Sequence, residues 1–331
     1  MFFGLLVSFQ CCYSQSESQL LKKSNSFFSK EDYRNAINGF RQLLSNDITN
    51  IDYNYKYAVC LFYTKSPKSS QKYFDYLLNQ EGFPIDVFYF KGRLYHLNYQ
   101  FDQAIEMYEK YEKIKTSKDN DYHCLDEIHR CQNAKSLLKS PRAIEVISMQ
   151  KMSKENYFSS YVFDSENYKL YSNSDVFSKV NQKKGFVPKY VFRRGMKYRF
   201  FSSYSKLENT QKDIFIQEKD ADNEWKEPVR LGLEINSSFN EDFPFFDEST
   251  GYLYFSSDGH SSIGGMDVFR VRFNLKNLTF GTIENLNFPY SSTYDDFLYI
   301  PIESASYAYF STNRNSEIGS IEVVKSKLTD R

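Results

Sequence analysis

Gly251-Tyr-Leu-Tyr-Phe-Ser-Ser-Asp258 occurs, with small changes, three times in this chain. Its counterparts are Lys197-Tyr-Arg-Phe-Phe-Ser-Ser-Tyr204 and Ser306-Tyr-Ala-Tyr-Phe-Ser-Thr-Asn313, and Phe201, Phe255 and Phe310 stand 54 and 55 residues apart. Twelve residues after each comes a second apolar run: Asp213-Ile-Phe-Ile216, Asp267-Val-Phe-Arg270 and Glu322-Val-Val-Lys325. A repeated unit is one supersecondary piece that buries its apolar faces against its neighbours. Aromatic runs bounded by Asn, Asp, Ser and Gly read as short strands with tight turns. A period near fifty residues with several strands per unit points to propeller blades.

Within one unit, the alternation Tyr252-Leu-Tyr-Phe255 sends successive side chains to opposite faces, so both faces of the sheet are packed. Ser256, Ser257 and Asp258 are placed to bond backbone groups where the strand ends. Gly264-Gly265 supplies conformations that other residues resist. Asp213, Asp267 and Glu322 open the following strand and are expected to bond the preceding turn. A degenerate first unit, Asn156-Tyr-Phe-Ser-Ser-Tyr-Val-Phe163 followed by Lys169-Leu-Tyr-Ser172, precedes the three clear ones. The strand region therefore spans 144–331, with about four units. Four units would close a small ring or form an open array with unpaired edge strands.

Upstream, residues 16–140 carry a helical pattern with a period of 34. Ala36, Ser70 and Ala104 fall 34 apart, as do Phe40, Phe74 and Tyr108, and Leu43, Leu77 and Tyr111. Within each unit these lie at i, i+4 and i+7, on one helix face. The preceding helix repeats Ser24, Ala58 and Gly92 in the same register. Small residues in the inner series let paired helices approach, and large aromatics fill the gap between pairs. Ser29-Lys-Glu-Asp32, Asn98-Tyr-Gln-Phe101, Pro67 and Gly82-Phe-Pro84 mark the boundaries.

A 34-residue helix-turn-helix repeat resembles the tetratricopeptide family, and Gly92, Tyr95, Ala104 and Tyr108 match its signature positions. Lys23, Tyr57 and Lys91 replace the usual Leu, and Ile48, Gly82 and Thr116 replace the closing Pro. The resemblance implies a concave surface for an extended peptide or a partner's helix. The strand repeats, with Trp225-Lys-Glu-Pro228 and Asn240-Glu241-Asp242-Phe243 between the second and third units, resemble the TolB-type, WD-like propeller repeats of Bacteroidota envelope proteins. In those proteins a tetratricopeptide region precedes the propeller and an OmpA-family domain often follows. Members of that family serve the type nine secretion and gliding apparatus. No OmpA-like region falls within these residues, so wall anchoring is not carried over.

Composition narrows the function. Lys plus Arg and Asp plus Glu balance at 42 each in 331 residues, which gives no basic stripe for nucleic acid. The 28 Tyr and 31 Phe are packing residues of strands and helices alike. Residues 1–15 read as a signal peptide: Met1 to Phe9 is apolar but too short to span a bilayer. A basic n-region is missing, as it would be if the leader began upstream. Ser8-Phe9-Gln10 lacks the small residue that lipidation at Cys11 or Cys12 requires. No later stretch is long and apolar enough to cross a membrane. Cys60, Cys124 and Cys131 read as buried thiols, and no pair among Cys124, Cys131, His123 and His129 has the four-residue spacing of helix-borne metal ligands.

Chemistry is not assembled anywhere in the sequence. Gly259-His-Ser-Ser-Ile-Gly264 fails the Gly-x-Ser-x-Gly pattern, and Asp220-Ala-Asp222-Asn-Glu224 has Trp225 where a calcium loop needs Gly. The expectation is a non-enzymatic scaffold, without cofactor or metal, at the periplasmic face of the outer membrane. Its partners would be envelope proteins, including secretion or gliding components. The alternative is a propeller that binds a cell-wall fragment, glycan or peptide at its central mouth. Asp258, His260 and Arg314 are the candidate ligand or partner contacts.

Overall fold

A computed structural model describes residues 17–162, 168–172, 179–204, 210–302 and 306–328. The segment 1–15, read from sequence as a signal peptide, lies outside them, as does Phe163. The chain divides between Ile128 and His129 into two compact units, helical first and mostly strand second.

The helical unit contains α1 (17–28), α2 (Tyr33–Asn46), α3 (Ile51–Thr64), α4 (Pro67–Leu77), α5 (Asp86–Leu97), α6 (Phe101–Ile114) and the start of α7 (Cys124–Leu137). From α2 to α6, each helix packs on the next in sequence, so the region is a tetratricopeptide-like stack of helical hairpins. Local chemistry sets the boundaries. Asp32, Asn50 and Ser66 are N-caps whose side chains accept from the amides of Asn35, Tyr53 and Ser69, and Pro67 opens α4. Glu31 and Tyr99, two periods apart, both turn the chain through positive φ, at 57° and 61°. No helix among the described residues is long and apolar enough to cross a membrane.

The 34-residue pattern is the core. Ala36, Phe40, Leu43, Ala58, Ser70, Phe74, Leu77, Ala104, Tyr108 and Tyr111 are all fully buried. Gly92 shows how closely the helices pass: a Cβ there would lie 2.5 Å from the Tyr108 ring. Gly92→Ala is therefore expected to destabilise the helical unit by about 1–3 kcal/mol. Overpacking outweighs the roughly 1 kcal/mol that alanine gains in helix propensity. Thermal denaturation followed by circular dichroism checks it. The departures from the family pattern have partners of their own: buried Lys91 pairs with Asp75 and lies 4.5 Å from the Tyr95 ring centre. Cys60, Cys124 and Cys131 are buried thiols.

The second unit is built from antiparallel sheets. The strands are β1 (Val146–Ser153), β2 (Tyr168–Ser172), β3 (Lys189–Arg193), β4 (Tyr198–Tyr204), β5 (Lys212–Glu218), β6 (Val229–Arg230) and β7 (Glu241–Asp247). They continue as β8 (Tyr252–Ser257), β9 (Asp267–Asn274), β10 (Thr279–Phe280), β11 (Glu284–Asn285), β12 (Asp296–Ile302), β13 (Tyr307–Thr312) and β14 (Ser320–Lys327). One short helix, α8 (Lys179–Lys184), interrupts them. The sheets are β2-β3, β4-β5-β6, β10-β9-β8-β7 with β11 added on β9, and β1-β14-β13-β12. The three sequence repeats are thus β4-β5, β8-β9 and β13-β14, each an antiparallel pair in the same register relation: Phe201 faces Phe215, Phe255 faces Phe269, and Phe310 faces Val324. The degenerate first unit does not begin as a strand. Tyr157–Ser160 is a 3-10 turn whose Tyr157 and Phe158 enter the core, and β2 pairs with β3.

Alternation packs both faces of the repeated strands. Leu253 and Phe255 belong to one core with Phe200, Ile214 and Phe269, whereas Tyr254 belongs to another with Tyr299, Tyr309 and Phe310. A recurrent serine ties sheet to sheet. Ser202 donates to Asp242 on β7, Ser256 accepts from the Leu298 amide on β12 at 3.3 Å, and Ser311 meets the Tyr161 hydroxyl at 2.6 Å. The first strand of the unit, β1, pairs with the last, β14, from Val146 opposite Ser326 to Ser153 opposite Ser320.

Candidate functional site

Asp258, His260 and Arg314 sit at the ends of β8 and β13, and the fold uses each of them. Asp258 accepts from the Asn240 amide at 2.7 Å and from its side chain at 3.2 Å, fastening β8 to the start of β7. Its carbonyl accepts from Arg130 at 2.8 Å, and Asn133 donates to the Ser262 carbonyl at 3.2 Å. His260 takes positive φ, places Nε2 2.9 Å from the Ile235 carbonyl, and packs its ring against Phe255 and Phe269. Burial holds its pKa below the usual histidine value. Arg314 pairs with the wholly buried Asp296, donates to the Pro289 carbonyl at 2.6 Å, and lies over the Phe288 and Phe310 rings.

The strand-opening acids divide. Asp267 bonds the preceding turn as expected, accepting from the Ile263 amide at 2.6 Å and from Asn285 at 2.9 Å. Asp213 instead grips Arg230 with both oxygens, at 2.8 and 2.9 Å. Glu241 is fully buried and accepts from the Ser237 amide and from the Ser237 and Ser257 hydroxyls at 3.0, 2.6 and 2.8 Å. Desolvation nonetheless pushes its pKa up to about 7. Burial likewise raises Asp267 and Asp296. A carboxyl whose pKa rises on folding favours the folded state below its unfolded pKa, and that contribution is lost as pH rises through the folded value. The second unit is therefore expected to melt at a lower temperature at pH 8 than at pH 5. Glu241→Gln flattens the part of that slope near pH 7, read by thermal melts across the pH range.

An opening in this unit lies between sheets rather than beside those three residues. It is a cleft of about 680 Å³, within the range of small-molecule sites. Its β8-β9 wall is a cross-strand ladder in which Tyr252 faces Arg272 and Tyr254 faces Arg270. Tyr290, Tyr299 and Pro301 form the other wall, and Arg142 joins them from the segment before β1. The Arg270 and Arg272 guanidinium carbons lie 4.7 and 4.4 Å from the Tyr252 ring centre. Tyr254 and Tyr290 meet Tyr299 at centroid separations of 5.0 and 5.1 Å. Arg270 pairs with Glu284 at 2.9 Å, and Arg272 donates to the Thr250 carbonyl. Among the described residues, the lining holds three arginines and no carboxylate.

Sequence reasoning did not single out this cleft. Its parts come from segments around 142, 252, 270 and 299, so no local spacing joins them. The detectable signal is the matched alternation Tyr252-x-Tyr254 and Arg270-x-Arg272, which puts two rings and two cations on one face of paired strands.

In the helical unit, a row of polar aromatics runs along α3 and α5. Asp86 accepts from the Tyr55 hydroxyl at 2.7 Å, the Tyr122 hydroxyl at 3.1 Å and the Asn120 amide group at 3.0 Å. Tyr89 stacks on Tyr122 at 3.9 Å, Tyr33 on Tyr63 at 4.8 Å, and Arg93 pairs with Glu127 at 2.8 Å. Tyr55 and Tyr89 occupy the same place in successive repeats.

No family model matches the chain, and no curated protein matches it. Among solved structures, the first TPR of Spaghetti (RPAP3) bound to the HSP90 peptide SRMEEVD is similar at 17% identity, with 37% of this chain and 95% of that chain covered and a TM-score of 0.32.

Proposed function

We propose that the chain is a non-enzymatic scaffold that holds protein partners. The stacked hairpins carry this reading, because they set Tyr55, Tyr63, Tyr89 and Arg93 on α3 and α5 as a group of polar aromatics and a cation. Rings with a polar tip give large contact area at small entropic cost and are favoured at interfaces. The order of a tetratricopeptide-like region before the β unit supports placing the scaffold in the envelope. There it would be exported, at the periplasmic face of the outer membrane, in the setting of type nine secretion or gliding. The β unit is read as a small propeller of about four blades. Pairing of β1 with β14 supports this, since a first strand completing the last sheet is how a ring of blades closes. The serine contacts from Ser202, Ser256 and Ser311 to the next element support it too.

Affinity capture from envelope extracts, with the full chain as bait, tests the scaffold. A specific protein retained across several salt concentrations is the expected result. Capture of none at any of them contradicts it. The Arg-Tyr cleft favours a second reading, in which the β unit also binds a ligand.

A further inference from the structure

The cleft between the β7–β11 and β12–β14 sheets has a chemical preference. Arg270 is neutralised by Glu284. Arg142 and Arg272 have no acidic partner among the described residues. The Arg142 amide donates to the Phe288 carbonyl at 2.8 Å, which holds the backbone of this residue beside the cleft. Arg272 is exposed on the rim and is held from below by the Tyr252 ring. Tyr299 lies at the floor with 6% exposure, its ring against those of Tyr254 and Tyr290. Two guanidinium groups with no counter-ion among the described residues, Arg272 on β9 and Arg142 ahead of β1, beside aromatic walls, suit a planar carboxylate. The walls also carry hydroxyls: Tyr252, Tyr254, Tyr290 and Tyr299, with Ser249 and Thr250 at the edge. Phenylalanines would serve an apolar ligand better. Ring faces flanked by hydroxyl groups suit a flat-sided ligand that is itself rich in hydroxyls.

We propose that this cleft binds an acidic carbohydrate, one or two sugar rings carrying a carboxylate. Arg142 and Arg272 would pair with the carboxylate, Tyr252 would cover a ring face, and the Tyr299 hydroxyl would bond a sugar oxygen. This rests on the second reading above and gives it a ligand class.

The test is calorimetric titration of the full chain with α-1,4-digalacturonate, its dimethyl ester, inorganic phosphate and an acetylated Glu-Glu dipeptide. Saturable binding of one digalacturonate is expected, at least about tenfold tighter than the ester. Arg142→Gln and Arg272→Gln are each expected to weaken it at least about tenfold. Tyr299→Phe keeps the ring packing and tests the floor without unfolding the site. It should weaken digalacturonate severalfold at an unchanged melting temperature. If the ester binds equally, if phosphate or the dipeptide binds more tightly, or if all three variants bind as the parent does, the carbohydrate assignment falls. If none of the probes binds, the ligand reading of the cleft falls with it.

Discussion

Arg314→Ala is expected to destabilise the second unit by about 3–5 kcal/mol, the usual cost of stripping a buried carboxylate of its partner. Asp296 is wholly buried, and Arg314 pairs with it across the β12-β13 end. Removing the guanidinium leaves the Ser292 hydroxyl, at 2.6 Å, as a neutral donor that cannot balance the charge. Burial already raises the Asp296 pKa, with Arg314 opposing the rise. Without Arg314 the carboxyl holds its proton more tightly still. The deficit should therefore narrow as pH falls, because the protonated acid needs no counter-ion. Arg314→Ala combined with Asp296→Asn is expected to lose less than Arg314→Ala alone. Denaturant titration at pH 5 and pH 8 reads both effects. Equal losses in the single and double variants would show that the pair carries no charge coupling.

Gly264→Ala is expected to cost the same unit about 3 kcal/mol, at the upper end of overpacking effects. A Cβ at Gly264 would stand 2.2 Å from the Ser292 carbonyl oxygen, 2.5 Å from the Thr293 carbonyl carbon and 2.7 Å from the Tyr294 carbonyl oxygen. All three are backbone atoms, so no side chain can swing away. The same crossing is held by the Gly265 amide on the Tyr294 carbonyl at 3.2 Å and the Asp296 amide on the Met266 carbonyl. Gly319, its counterpart in the next repeat, has open space around it but a φ of +92°. There alanine pays a conformational penalty instead, and the loss should be smaller, about 1–2 kcal/mol. Melting temperatures of the two variants distinguish steric from conformational cost.

That contrast shows where sequence was sufficient. Gly264-Gly265 reads in sequence as a turn that needs conformations other residues resist. The structure gives a different reason at Gly264, where a side chain is excluded by a segment about thirty residues on rather than by the residue's own dihedral angles. The helical repeat was the most legible part. Ala36, Ser70 and Ala104 encode helix spacing directly, and packing in a hairpin stack is local enough for a 34-residue period to hold it. The two-sided packing of β8 followed from alternation alone, with Leu253 and Tyr254 entering different cores. Tyr157–Ser160 misled because an aromatic run satisfies a 3-10 turn whose rings are buried as readily as it satisfies a strand.

The candidate site was the least legible part. Asp258, His260 and Arg314 are read from sequence as polar groups at a central mouth, and in the structure each also bonds a neighbouring segment: Asp258 the Asn240 amide, His260 the Ile235 carbonyl and Arg314 the Asp296 carboxylate. Buried polar groups at such ends must be satisfied locally, which makes them conspicuous in sequence for structural reasons. The cleft residues carry no such mark. Arg142 and Tyr299 are brought together only when β1 folds back beside β14 and the last sheet forms.

Hydrogen–deuterium exchange of the full chain, alone and with the protein captured from envelope extract, tests the scaffold most directly. Slower exchange confined to α3 and α5, with the partner recovered chemically unchanged, is the predicted outcome. Unchanged exchange in both helices, or a partner recovered cleaved or modified by this chain, would contradict it.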